Sequence, residues 1–200
     1  IVRPLKSNDR SLMRYKSGYR AQNINTHYDW SNWGQFSDAV EMCNNNGACR
    51  KLDSGVMCPS YRVTKEEKDL VRGRANTLRL ALSNQLPEGS FASMEMYETM
   101  ELCVSCKACQ RECPMSVDMA KMKSEFLSHY YKKFSMRIKD RVTSDMPRLI
   151  WLLKIVAPIF NKVKNLPLIS NIVKKFGFAV ERKIPEVQNQ NMLREIYNGQ

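Results

Sequence analysis

The spacing of seven cysteines constrains this chain more than any other feature. The later group reads Cys103-x2-Cys106-x2-Cys109-x3-Cys113-Pro114. That is the bacterial iron–sulfur run, in which the fourth cysteine ligates the other of two clusters. Each of four irons in a cubane wants one outer thiolate, and two-residue gaps let a tight turn wrap three sulfurs around it. Proline after the last cysteine redirects the chain, since its nitrogen has no hydrogen to donate. A structural zinc site would use cysteines in pairs, and three steps ending in C-x3-C-P are not its pattern.

The earlier group, Cys43-x2-Asn46-x2-Cys49-x8-Cys58-Pro59, repeats the frame with asparagine at one ligand position and a gap of eight where three is usual. Crossing the last cysteines gives Cys58, Cys103, Cys106 and Cys109 as a complete set for a 4Fe-4S cluster. Cys43, Cys49 and Cys113 then hold a second cluster with Asn46 near its open corner. This site is expected to carry a 3Fe-4S cluster, or a 4Fe-4S cluster with a labile or oxygen-ligated corner. Asn46 is equally readable as a turn residue in Asn44-Asn45-Asn46-Gly47.

An odd cysteine count does not suit a fully paired disulfide framework, and no charged start, apolar run and cleavage site marks a signal peptide. The expectation is a reducing, cytoplasmic location. The net charge of +12 counts the cysteines as neutral, and two clusters would lower it by roughly four. A chain still basic points to a solvated surface first, then to an acidic partner or anionic lipid, with nucleic acid excluded as partner for want of any base-reading motif.

Residues 1–40 lack sustained periodicity and read as an extended arm whose aromatics, Trp30 and Trp33 among them, need burial on the core or a neighbour. Residues 41–135 carry the helical signals. Thr64-Lys65-Glu66-Glu67 fits a capping box starting a helix with Leu70, Val71, Leu78 and Leu82 on one face and Arg72, Arg74 and Arg79 available to solvent or a partner. Further helices are expected over about 93–102 and 117–131, with their methionines packing the core. Residues 136–200 form a basic amphipathic segment whose apolar run, bounded by Pro147 and Pro158, is too short to span a bilayer. That run reads as packing helices or as a helix on a membrane surface. Arg50, Lys51 and Arg111 read as solvated surface, and His27 and His129 as satisfied or solvent-facing. No catalytic constellation is present.

The segments Met42 to Lys51, Gly55 to Arg62, Arg72-Gly73-Arg74-Ala75-Asn76, Leu102 to Cys109 and Glu112-Cys113-Pro114 resemble the iron–sulfur region of FAD-linked oxidases of 2-hydroxy acids, such as D-lactate and D-2-hydroxyglutarate dehydrogenases. Arg3-Pro4-Leu5 and Arg14-Tyr15-Lys16 look like that family's connection from the flavin domain. The resemblance implies an all-α fold, an α-helical ferredoxin with two cluster sites, preceded by the arm and followed by basic helices. It also implies electron transfer from FAD on a partner domain or subunit to a quinone or other acceptor, with peripheral attachment at the inner face of the cytoplasmic membrane as one arrangement. Substrate catalysis would lie elsewhere in the FAD-dependent oxidoreductase. The alternatives are an electron-transfer subunit of the anaerobic glycerol-3-phosphate dehydrogenase type and a structural or redox-sensing cluster module. The family pattern often has asparagine at the place of Asn46.

Overall fold

A computed structural model describes residues 19–163, 166, 169, 171, 174–175 and 186–187. The chain divides into two compact units, Ile1–Phe134 and Ser135–Gln200. Among the described residues the regular structure is helical with no strand, as expected for an all-α ferredoxin. In the first unit the α-helices are α1 (Phe36–Glu41), α2 (Pro59–Thr64), α3 (Val71–Leu82), α4 (Met94–Glu101), α5 (Ala108–Glu112) and α6 (Met119–Lys133).

Helix α3 is the hub, packing on α1, α4 and α6. Its residues Val71, Arg74, Ala75, Leu78 and Leu82 recur at three- and four-residue steps and are all buried, so one stripe faces the core. The same spacing buries Met96 and Met100 on α4, and Met119, Met122, Phe126 and Tyr130 on α6. Each such side chain removed from water contributes about 1.5–3 kcal/mol. Ser93 caps α4 by accepting from the Met96 amide at 3.2 Å, and Asp118 caps α6 by accepting from Lys121 N at 3.0 Å. The side chains thus set both starts close to the expected positions.

The capping box at Thr64 is not formed. Thr64 ends α2, Lys65 turns left-handed (φ 61°), and Glu67–Asp69 makes a single 3-10 turn before α3 begins at Val71. The Thr64 hydroxyl instead donates to Asp69 Oδ2 at 2.6 Å. The later start has a steric cause at Gly73, where a Cβ would lie 2.1 Å from the Glu67 carbonyl oxygen. That close approach lays the 3-10 turn across the first turn of α3. Arg74 and Arg79 are buried rather than available to solvent.

The described part of the arm, from Tyr19, lies on the core. Trp30 is buried and heads a run of ring contacts through Phe36, Phe91 and Phe126 at centroid spacings of 5.0, 5.9 and 6.2 Å. Lys121 stands over the Trp30 ring at 4.3 Å, and Glu125, fully buried on α6, accepts from His27 N at 2.8 Å, Tyr28 N at 3.0 Å and Trp30 Nε1 at 3.0 Å. Residues 1–18, with the Arg3-Pro4-Leu5 and Arg14-Tyr15-Lys16 motifs, lie outside the described residues.

Burial opposes ionisation of Glu125, but hydrogen bonds from His27, Trp30, Tyr28 and His129 outweigh it and hold the carboxyl below its ordinary value. A depressed carboxyl stabilises the fold above its ordinary pKa, and that contribution is lost as pH falls through the folded value. Glu125→Gln is therefore expected to destabilise by about 2–4 kcal/mol at pH 7. The gap from wild type should shrink below the ordinary value of 4.5. Denaturant titrations of both proteins across that range check it. His27 and His129, brought together with ring centroids 5.8 Å apart, serve this anchor.

In the second unit, α7 (Ile138–Val163) runs unbroken through Pro147 and Pro158, which were expected to bound a short run. The apolar period explains the continuity, because Ile138, Val142, Met146, Leu149 and Val156 recur at helical steps across Pro147. Among the described residues no helix is long and apolar enough to cross a membrane.

Candidate iron–sulfur centre

Cys58, Cys103, Cys106 and Cys109 line one small cavity of about 20 Å³, together with Arg74, Val71 and Met119. Two chain segments supply these four sulfurs, Cys58 from one and Cys103, Cys106 and Cys109 from the other. The loop 103–107 turns around the cavity with Ser105 and Lys107 both left-handed (φ 54° and 58°), and Cys58 is left-handed as well (φ 54°). Such residues cost of order 1–3 kcal/mol each. Alternation of hand turns successive amides toward one point, the concave arrangement that receives iron–sulfur clusters. Lys123 fixes the loop from α6 by donating to the carbonyls of Cys103 and Glu101 at 2.5 and 3.1 Å.

Helix starts supply the polar environment of the sulfurs. Val71 N, the first amide of α3, donates to Cys58 Sγ at 3.3 Å, and the next amide, Arg72 N, donates to Cys49. Met119 and Ala120, the first two residues of α6, donate their amides to Cys109. The opening amides of a helix have no intrahelical partner and carry its positive dipole end, so these four stabilise thiolate charge at no cost to either helix.

Burial pushes the Cys58 thiol up to about 12, helped by the Cys49 and Cys109 sulfurs and opposed by the Val71 amide and Arg74. Burial likewise raises Cys49 and Cys109. A cluster ligand must be a thiolate, so a positive metal group has to displace these protons. The donor set fits such a group. A zinc ion would draw four sulfurs to about 2.3 Å from one point. Among the described residues no group of three or more Cys, His, Asp or Glu side chains is gathered closely enough to hold a metal ion.

At the second site Cys43 and Cys49 are buried and close enough for the charge of one to raise the other's pKa. One face of α3 holds their loop: Arg72 reaches Glu67 at 2.6 Å while its guanidinium lies where a Cβ on Gly47 would touch it at 3.4 Å, and Asn76 Nδ2 donates to Asn45 Oδ1 at 3.1 Å. Asn46 is exposed and both ends of its amide serve the turn, the oxygen accepting from Ala48 N at 2.8 Å and the nitrogen donating to Asn44 Oδ1 at 2.7 Å. Asn45 (φ 64°) and Gly47 (φ 76°) are left-handed in this turn, and Asn45 Oδ1 lies 3.8 Å from Cys43 Sγ. Cys113 caps the end of α5, half-buried, directly after Glu112. Arg50, Lys51 and Arg111 are exposed.

Three contributors to the site escape a reading of spacing alone. The four helix-start amides have no side-chain signal. Glu112, which accepts from Val56 and Met57 amides, is one acid among many. Arg74 looked like a surface arginine, although its place in Arg72-Gly73-Arg74 beside a glycine that permits close packing was the available clue.

The description "4Fe-4S dicluster domain" matches residues 39–117. The chain is 26% identical to D-2-hydroxyglutarate dehydrogenase of Escherichia coli strain K12 across 78% of this chain and 19% of the relative. It is 26% identical to the enzyme of the same name from Pseudomonas putida KT2440 across 70% and 17%, and 25% identical to that of Haemophilus influenzae Rd across 82% and 19%. The chain thus spans about a fifth of the length of these relatives. No solved structure matches it. Residues 39–117 match a 4Fe-4S dicluster domain, and together with these relatives the chain fits an iron–sulfur domain of the FAD-linked oxidase family.

Proposed function

We propose that this chain passes electrons from the FAD of a 2-hydroxy-acid dehydrogenase, carried on a partner domain or subunit, to a quinone or another acceptor. The observation that supports it best is the ring of Cys58, Cys103, Cys106 and Cys109 around one cavity. The similarity to D-2-hydroxyglutarate dehydrogenases supports the flavin partner. Iron–sulfur clusters carry one electron at a time while a reduced flavin holds two, so a pair of clusters drains the flavin in single steps. The protein's part is to hold the sulfurs, exclude water with Val71 and Met119, and tune potential through the amides of α3 and α6 and the Arg74 charge. Exposed Cys106 gives the first cluster a surface edge. The apolar residues Val142, Leu149 and Val156 of α7, with Arg141, Arg148 and Lys162 on the same helix, support attachment to an anionic membrane face.

The test uses the protein together with its flavin-bearing domain or subunit. D-2-hydroxyglutarate or D-lactate is added anaerobically and the mixture freeze-quenched for EPR. Reduced-cluster signals rising as the flavin reoxidises are expected. A flavin reduced by substrate while the clusters stay oxidised would sink the proposal and leave a structural or sensing module.

The second cluster rests on Cys43, Cys49 and Cys113 with Asn46 at the fourth place. Asn46→Cys is expected to raise iron from about seven to about eight per chain and to remove a three-iron EPR signal. Wild type already at about eight, without that signal, would assign a four-iron cluster with an oxygen-ligated corner.

A further inference from the structure

The eight-residue gap before Cys58 is held from both sides. From one side, Arg62 of α2 donates to three carbonyl oxygens of the gap, Leu52 at 3.0 Å, Ser54 at 2.9 Å and Gly55 at 2.6 Å. From the other side, the Glu112 carboxylate at the end of α5 accepts from Val56 N at 2.9 Å and Met57 N at 3.1 Å. A Cβ on Gly55 would lie 2.3 Å from Glu112 Oε2, at φ +73°. Only glycine both takes that backbone and leaves the carboxylate its place.

We infer that Glu112, with Arg62 opposite it, is a positioning residue that couples the two crossed ligands, so that the strap 52–57 locks Cys58 and Cys113 in place together. The inference rests on the crossed ligand scheme proposed above. Its logic is sequential: Glu112 directly precedes Cys113, and the amides it takes belong to the two residues directly before Cys58. A free eight-residue loop would leave Cys58 to be ordered by cluster binding alone, at an entropy cost that grows with each mobile residue. The strap orders the cysteine beforehand. Because Cys58 serves the downstream set and Cys113 the upstream one, one carboxylate steadies a ligand of each cluster.

The test follows both clusters separately by EPR in full-length protein during anaerobic exposure to EDTA, for wild type, Glu112→Ala, Gly55→Ala, the double variant, and Glu88→Ala as an exposed control. Both signals are expected to decay about tenfold faster in Glu112→Ala, as loss of hydrogen bonds to a charged group predicts, and at wild-type rate in the control. Gly55→Ala should act similarly in wild type but add little to Glu112→Ala, the non-additivity of residues in contact. Accelerated loss of the Cys58 cluster alone, or no acceleration, would overturn the coupling. A wild-type protein holding no cluster would overturn the ligand scheme beneath it.

Discussion

Cys58→Ala is expected to abolish the cluster of Cys103, Cys106 and Cys109, whose ligands lie some 45 residues downstream, and to leave the signal of the Cys43–Cys49 site. The reason is the shared cavity: Cys58 supplies the fourth sulfur, and its thiolate is the one that Val71 N and Arg74 face. Alanine removes the sulfur to which the Val71 amide donates and whose thiolate form the nearby Arg74 charge favours. Iron should fall by about four per chain. A two-domain arrangement, in which each cysteine group feeds its own cluster, predicts the converse loss. EPR of the reconstituted variant distinguishes the two, because the signals of the clusters are read independently.

Arg74→Met should cost nearly as much, through stability as well as potential. Arg74 and Asp69 form a pair at 3.4 Å with both side chains almost wholly buried (2% and 1% exposed). The guanidinium also donates to the carbonyls of Asp69 at 2.7 Å and Thr99 at 3.0 Å and to Ser60 Oγ at 3.2 Å, so it ties α3 to α2 and α4. Methionine matches much of the volume but leaves the Asp69 carboxylate buried without its cation, with the Thr64 hydroxyl still donating to it. Breaking such a pair from one side costs about 3–5 kcal/mol. Denaturant midpoints check that figure. In protein that still folds, the first cluster's midpoint potential is expected to fall, since a positive charge beside its thiolates favours the more negative, reduced state. An unchanged potential would place the Arg74 charge outside the cluster's electrostatic reach.

What could be read in the residues was whatever local chemistry repeats. Cysteine spacing marked the four side chains that line one cavity, and Ser93 and Asp118 marked helix starts because a hydroxyl or carboxylate must answer free amides there. The failures share one cause, a tertiary demand overriding a local signal. Thr64 has the makings of a cap, yet α3 starts seven residues later, where Gly73 packs on Glu67 and the Val71 and Arg72 amides meet sulfur. Arg74 occupies a position on the apolar stripe of α3, so it is buried despite its charge. Pro147 and Pro158 read as helix boundaries, but the apolar period of α7 carries through. The arm's aromatics called for a partner without naming it, and that partner is Glu125, nearly a hundred residues away in sequence.

We propose that seven thiolates from two crossed groups hold two iron–sulfur clusters. Iron, zinc and acid-labile sulfide per chain, measured after anaerobic reconstitution, test it most directly. About seven or eight irons with about eight acid-labile sulfides and no bound zinc are expected. Zinc bound in place of iron, or about four irons with the Cys43 and Cys49 thiols still free to react, would contradict it.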